Sequence, residues 1–164
     1  MIANLLPLEA FMHFLHLLGA ITWVGGMLAT GLVVFPVLRG ELREADRDRV
    51  VDRIGRRFRA AEAAAWACLL VSGLFKLHAA GPDAWFPPTA FARILALKLA
   101  LVAAVVTLAV LHGYVWGPRL GRMRARRSAA AAALTRRIVF WVRIEAGLAL
   151  GVVACGALLR VNPF

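Results

Sequence analysis

Two histidines, His13 and His16, stand three residues apart in the first apolar stretch, residues 11–38, which contains no Asp, Glu, Lys or Arg. A helix places residues at this spacing side by side on one face. A histidine surrounded by lipid must face the protein interior and find a partner or a ligand there. Imidazole nitrogens bind both haem iron and copper. The pair therefore indicates either a metal or haem site or a polar contact between helices.

The elements that position these histidines are four long apolar stretches. The chain has 164 residues, of which 62% are hydrophobic, and its mean hydropathy of +0.75 is typical of an integral membrane protein. The sequence predicts an all-α bundle of four transmembrane helices in a single domain, 1–164. The predicted spans are residues 8–38, 60–80, 93–116 and 138–159, and an amphipathic cytoplasmic segment is predicted at residues 42–58.

Arginine is concentrated in two connecting segments, with eight in residues 39–59 and seven in residues 119–137. The loop at residues 79–92 has no Lys or Arg. Because positive loops stay in the cytoplasm, both Arg-rich segments are predicted inside and both chain termini outside. We interpret the net charge of +11 as membrane topology and expect no nucleic-acid partner. The expected location is the bacterial cytoplasmic (inner) membrane, as a multi-pass protein in contact with the lipid bilayer.

This topology predicts an outer layer of polar residues near the outer helix ends: His13, His16, His78 and Lys98, together with Lys76. Histidines from two helices at equal depth can ligate haem iron axially. His13 or His16 would then pair with His78, and Lys98 would balance a haem propionate. The alternative is copper, because histidine and the thioethers of Met12 and Met27 are donors that copper accepts. A third interpretation is that the histidines only bond polar groups within the bundle.

A second set of polar residues, the inner polar network, is predicted near the cytoplasmic helix ends and comprises Glu62, His112, Arg143 and Glu145. Arg143 and Glu145 are two residues apart on one helix and therefore point to different sides. We expect Glu62 to pair with Arg143 and His112 to pair with Glu145. The network is either a structural set of ion pairs or a proton relay toward the outer layer.

Short motifs in all four predicted spans suggest a family. For the second span these are the charged segment that ends Ile54-Gly-Arg-Arg-Phe-Arg59 and the pair Ser72-Gly73 in the apolar helix after it, which resemble the CopD-like group described next. The stretch His16-Leu-Leu-Gly-Ala-Ile-Thr-Trp23-Val-Gly-Gly resembles the first-helix signature of CopD-like membrane proteins, a group that is similar to the HemJ-type protoporphyrinogen oxidases. Lys98-Leu-Ala-Leu-Val102 is similar to the start of the third helix in both groups, and Arg143-Ile-Glu145 resembles the last helix of the HemJ type. The resemblance implies a four-helix bundle that handles haem b or copper. It also implies His16, Lys98 and Glu145 as the family histidine, lysine and acid, and hence as catalytic candidates.

The first functional interpretation is a haem b-binding membrane redox protein, with protoporphyrinogen-oxidase-like activity on a porphyrin or quinol in the outer half of the bundle. The alternatives are a copper-binding or copper-transporting membrane protein and a non-catalytic accessory subunit of a larger membrane complex or homo-oligomer. The sequence has no nucleotide-binding loop, hydrolytic triad or zinc-ligand pattern, so those enzyme classes are not expected.

Overall fold

The computed structural model describes residues 5–82, 89–126 and 128–161. These residues are almost entirely helical, and no β-strand occurs among them. Four of the helices are long and apolar enough to cross a membrane: Pro7–Glu41, Asp46–Ala80, Ala90–Ala125 and Ala130–Val161. The all-α class and the four membrane-spanning helices are therefore confirmed. Contacts divide the chain into two compact units, Met1–Gly81 and Pro82–Phe164.

The first helix runs without a break from residue 5 to residue 41. Its α-helical segments, Leu5–Ala20, Gly26–Ala29 and Phe35–Glu41, are separated by two π-helical segments, Ile21–Gly25 and Thr30–Val34. Pro36 lies inside this helix, in the first turn after a π segment, and the helix continues through it.

The second helix, Glu44–Ala80, contains 37 residues and is about 55 Å long at the α-helical rise. The predicted amphipathic segment is the first part of this helix and leads into the apolar part without a turn. Its half-buried Phe58 packs its ring on Gly26 of the first helix. Since the helix exceeds the roughly 30 Å of a bilayer core, its charged first turns extend beyond the apolar part.

Small residues let the first and second helices approach closely. A Cβ atom added at Gly19 would lie 2.9 Å from the carbonyl oxygen of Ala65 and 2.9 Å from Cγ of Leu69. Nearby, the rings of Trp23 and Trp66 meet edge to face with their centroids 5.9 Å apart. Close packing on small residues is the usual basis of helix association in lipid, where apolar burial alone gives little driving force.

The second unit contains the third and fourth helices. The third begins at Ala90, where the Thr89 hydroxyl accepts a hydrogen bond from the Ala92 amide at 3.1 Å. It passes through a π segment, Leu111–Trp116, and ends with Gly117–Ala125. The predicted third span ends at residue 116, but the helix continues through Pro118, which again follows a π segment. The fourth helix is Ala130–Val161.

A Gly19→Ala substitution tests the close approach in the first unit. The new methyl group would overlap the Ala65 carbonyl, so we expect the free energy of unfolding to fall by about 1–3 kcal/mol, as in other overpacked sites. Thermal unfolding in detergent would measure the change. Gly31→Ala is the matched control, because a Cβ there meets nothing within 4 Å, and it should leave the melting temperature unchanged or raise it. Equal melting temperatures for the two variants would contradict this packing.

Candidate functional site

His16 forms a hydrogen bond across the first unit to Ser72 on the second helix. Its Nδ1 lies 2.9 Å from Oγ of Ser72, a side chain that is 0% exposed. The Ser72 hydroxyl has a single hydrogen, and it donates this to the Cys68 carbonyl at 2.5 Å. Oγ must therefore accept from His16, so Nδ1 carries the hydrogen. In a neutral imidazole the lone pair is then on Nε2.

His13 has the opposite arrangement. Its Nδ1 lies 2.7 Å from Nζ of Lys76. An ammonium group has only donors, so Nδ1 of His13 accepts the hydrogen bond and Nε2 carries the hydrogen. The lone pair of His13 is therefore directed at a cationic group, which disfavours a metal ion at the same nitrogen.

The two contacts fit a pair of antiparallel helices. His13 precedes His16 by three residues on the first helix, and its partner Lys76 follows Ser72 by four residues on the second. His78 lies two residues beyond Lys76, which places it about 200° further around the second helix. Its side chain is exposed. The structure therefore brings His13 and His16 to the second helix but does not bring His78 to the same face.

In the second unit, His112 and Glu145 are brought together as the sequence predicted. Nδ1 of His112 lies 2.9 Å from Oε2 of Glu145 and 3.2 Å from the carbonyl oxygen of Leu108. Since both neighbours are acceptors when Glu145 is ionised, Nδ1 carries a hydrogen. This hydrogen points at Leu108, which leaves Oε2 at ion-pair distance but without an aligned donor among the described residues. Glu145 is only 2% exposed.

Three further candidate residues, Lys98, Glu62 and Arg143, are not part of the histidine contacts described above. Lys98 extends along the fourth helix beside Gly156, where an added Cβ would be 3.6 Å from Nζ. Glu62 is half-buried on the second helix, and Arg143 is exposed on the fourth. Their pairing stays a prediction, as does a role for Lys98 at a haem propionate.

The Ser72–His16 bond is the part of the site that sequence reasoning missed. Ser72 is an ordinary small polar residue in an apolar stretch, and the sequence does not show how a helix is rotated. Two signals pointed toward it: Ser72-Gly73 is part of the family resemblance, and Ser72 and Lys76 are four residues apart, which matches the histidine spacing on a facing helix. Across the part of the chain that the structure describes, no three His, Cys, Asp or Glu side chains cluster as a metal-ion site.

Comparison with known families gives one match. The model of the family described as CopD, copper resistance protein D, matches residues 52–159, which is more than half of the chain. The chain belongs to the CopD family. The match contains Ser72, Lys98, His112 and Glu145, whereas His13 and His16 lie before it. No curated protein and no solved structure matches the chain.

Membership of this family bears on the functional interpretations. A family named for copper resistance supports the copper alternative over haem b, and it supports a multi-pass membrane protein. The haem b and redox interpretations have no support from the family or from the fold, and similarity to the HemJ type is not shown.

Ser72→Ala tests how the imidazole of His16 is oriented. Without the serine oxygen, Nδ1–H loses its acceptor, so we expect the two neutral tautomers of His16 to become mixed. Nitrogen NMR on ¹⁵N-histidine-labelled protein distinguishes protonated from unprotonated ring nitrogens. Thr30→Ala serves as a control, because the Thr30 hydroxyl bonds the Gly26 carbonyl and does not contact a histidine. An unchanged His16 spectrum in Ser72→Ala would contradict the assignment.

Proposed function

We propose that this chain is a copper-handling membrane protein that binds copper within its first unit, with His16 as the principal ligand. The observation that carries the proposal is the hydrogen bond from His16 to Ser72. A second group on Nδ1 that orients the ring and leaves Nε2 to the metal is the usual environment of a metal-binding histidine. Family membership supports copper as the metal.

The thioether of Met12 is the second proposed donor. Met12 precedes His16 by four residues, so the two side chains share one helix face, and Met12 is half-buried. Thioethers and imidazoles together favour Cu(I) over harder ions. Met27 lies about 16 Å from His16 along the helix axis and is therefore not a ligand of the same ion. A site with few ligands suits a protein that receives and releases copper.

Gly73 supports the proposal by leaving space next to His16. A Cβ added at Gly73 would lie 3.8 Å from Cε1 of His16, the ring carbon between Nδ1 and Nε2. With glycine in this place, the second helix presents backbone and not a side chain to that edge of the imidazole.

The proposal leaves the haem b interpretation without the ligand geometry it needs. The bis-histidine site described above requires His78 across from His13 or His16, and His78 is exposed on a different face of the second helix. We therefore propose neither a redox enzyme nor a porphyrin or quinol partner. Residence in the bacterial cytoplasmic membrane, with both termini outside, stays a prediction and would place His16 toward the outer surface.

His16→Gln should weaken Cu(I) binding by more than about tenfold, because it removes the Nε2 ligand. His13→Gln is the matched control: it changes the same residue type one turn away, and the glutamine oxygen can still accept from Lys76. We expect near-native affinity in that variant. Competition with a chromogenic Cu(I) chelator on detergent-purified protein measures both affinities.

Two outcomes would contradict the proposal. Equal loss of copper affinity in both variants would show that the two histidines act together and not in separate roles. A purified native protein that carries haem, seen as a Soret absorbance band, and that takes up no copper would return the haem interpretation.

A further inference from the structure

The second unit contains a buried acid–imidazole pair that the copper site does not use. Glu145 projects from the fourth helix and is among the largest fully buried side chains of the described chain. The other buried residues of the two helices are apolar and include Val105 and Ala149, which are fully buried, and Ala109, which is nearly so. An isolated carboxylate in such surroundings is strongly unfavourable unless its charge is neutralised.

Among the charged groups described in this unit, one residue is placed to neutralise the carboxylate of Glu145. His112 is the group that contacts Glu145, at 2.9 Å. Arg143 and Tyr114 are exposed, Arg137 lies over the Trp116 ring at 5.8 Å, and Lys98 lies beside Gly156. Within the described part of the unit, Glu145 therefore depends on the protonation state of His112.

Proton counting defines the states of the pair. Nδ1 of His112 already carries the hydrogen that is directed to Leu108. A neutral pair therefore holds one further proton, either on Nε2 as imidazolium beside carboxylate or on Glu145 as carboxylic acid beside neutral imidazole. Loss of this proton leaves a net charge of −1 on a carboxylate that is 2% exposed.

The two residues differ in their access to the surroundings. The side chain of His112 is 30% exposed, whereas that of Glu145 is 2% exposed. His112 also lies in the π segment Leu111–Trp116, a helix form that is often found at functional sites. The imidazole is thus the part of the pair that reaches the surface of the described unit, and the carboxylate is the part that is buried within it.

We propose that His112 and Glu145 form a proton-exchange site, in which one proton enters at the imidazole and is passed to the buried carboxylate. The incoming proton binds Nε2, the Nδ1–H bond breaks as this hydrogen turns from the Leu108 carbonyl to Oε2 of Glu145, 2.9 Å away, and an Oε2–H bond forms. Imidazolium and carboxylate thus become imidazole, now protonated on Nε2, and carboxylic acid, so no charge is created within the unit. The unaligned Oε2 is central to this proposal, because a carboxylate oxygen that no donor satisfies is the one that can accept the proton. A membrane-embedded carboxylate with a histidine partner is the usual composition of a proton relay.

Infrared difference spectroscopy of the full-length, copper-free protein in lipid nanodiscs tests the proposal. A step in pH should produce a carboxylic-acid C=O band and, together with it, a change in a histidine ring mode. The acid band should be lost in Glu145→Gln, and the coupled ring mode should be lost in His112→Gln. Glu41→Gln, which changes an exposed carboxylate at the end of the first helix, should retain both. Circular dichroism confirms that each variant is folded.

Two results would overturn the proposal of a proton-exchange site. The native protein is titrated over the whole pH range in which it stays folded. If its infrared spectrum then shows no acid band and no histidine ring change that Glu145→Gln removes, the two residues form a permanent ion pair and the proposal is overturned. Retention of the acid band in Glu145→Gln would also overturn it, since another carboxyl group would then be responsible. Because copper is absent, neither result depends on the copper site in the first unit.

Discussion

The hydrogen bond between His16 and Ser72 is the interaction on which the account of the first unit depends. In an apolar helix pair, each buried polar group must find a partner within the protein, because lipid supplies none. Ser72 is fully buried and has one hydrogen, which the Cys68 carbonyl takes. This leaves the serine oxygen as an acceptor and determines which imidazole nitrogen of His16 carries the lone pair.

Their hydrogen-bond partners distinguish histidines that look equivalent in the sequence. His13 and His16 occupy one helix face, yet Lys76 and Ser72 give their rings opposite proton arrangements. His112 resembles His16 in carrying its hydrogen on Nδ1, but its neighbour is a buried carboxylate and not a hydroxyl. On the basis of these hydroxyl, ammonium and carboxylate partners, we propose metal binding for His16, helix association for His13 and proton exchange for His112.

The apolar stretches were sufficient to predict the four spanning helices, because hydrophobic length alone distinguishes a membrane helix. The contact between His112 and Glu145 was also predicted, since both residues lie at a similar depth near the predicted cytoplasmic helix ends. The Ser72 contact and the exposure of His78 were not, because both depend on helix rotation. The helices also extend past Pro36 and Pro118, which a sequence pattern marks as ends; the π segments before them have no pattern that we could recognise.

X-ray absorption spectroscopy at the copper edge, on protein loaded with one equivalent of Cu(I), tests the central claim most directly. The account predicts a first shell that contains an imidazole nitrogen and a thioether sulfur, with the outer-ring scattering of the imidazole lost in His16→Gln. A shell without imidazole scattering, or a native spectrum that His16→Gln leaves unchanged, would contradict the assignment of copper to His16.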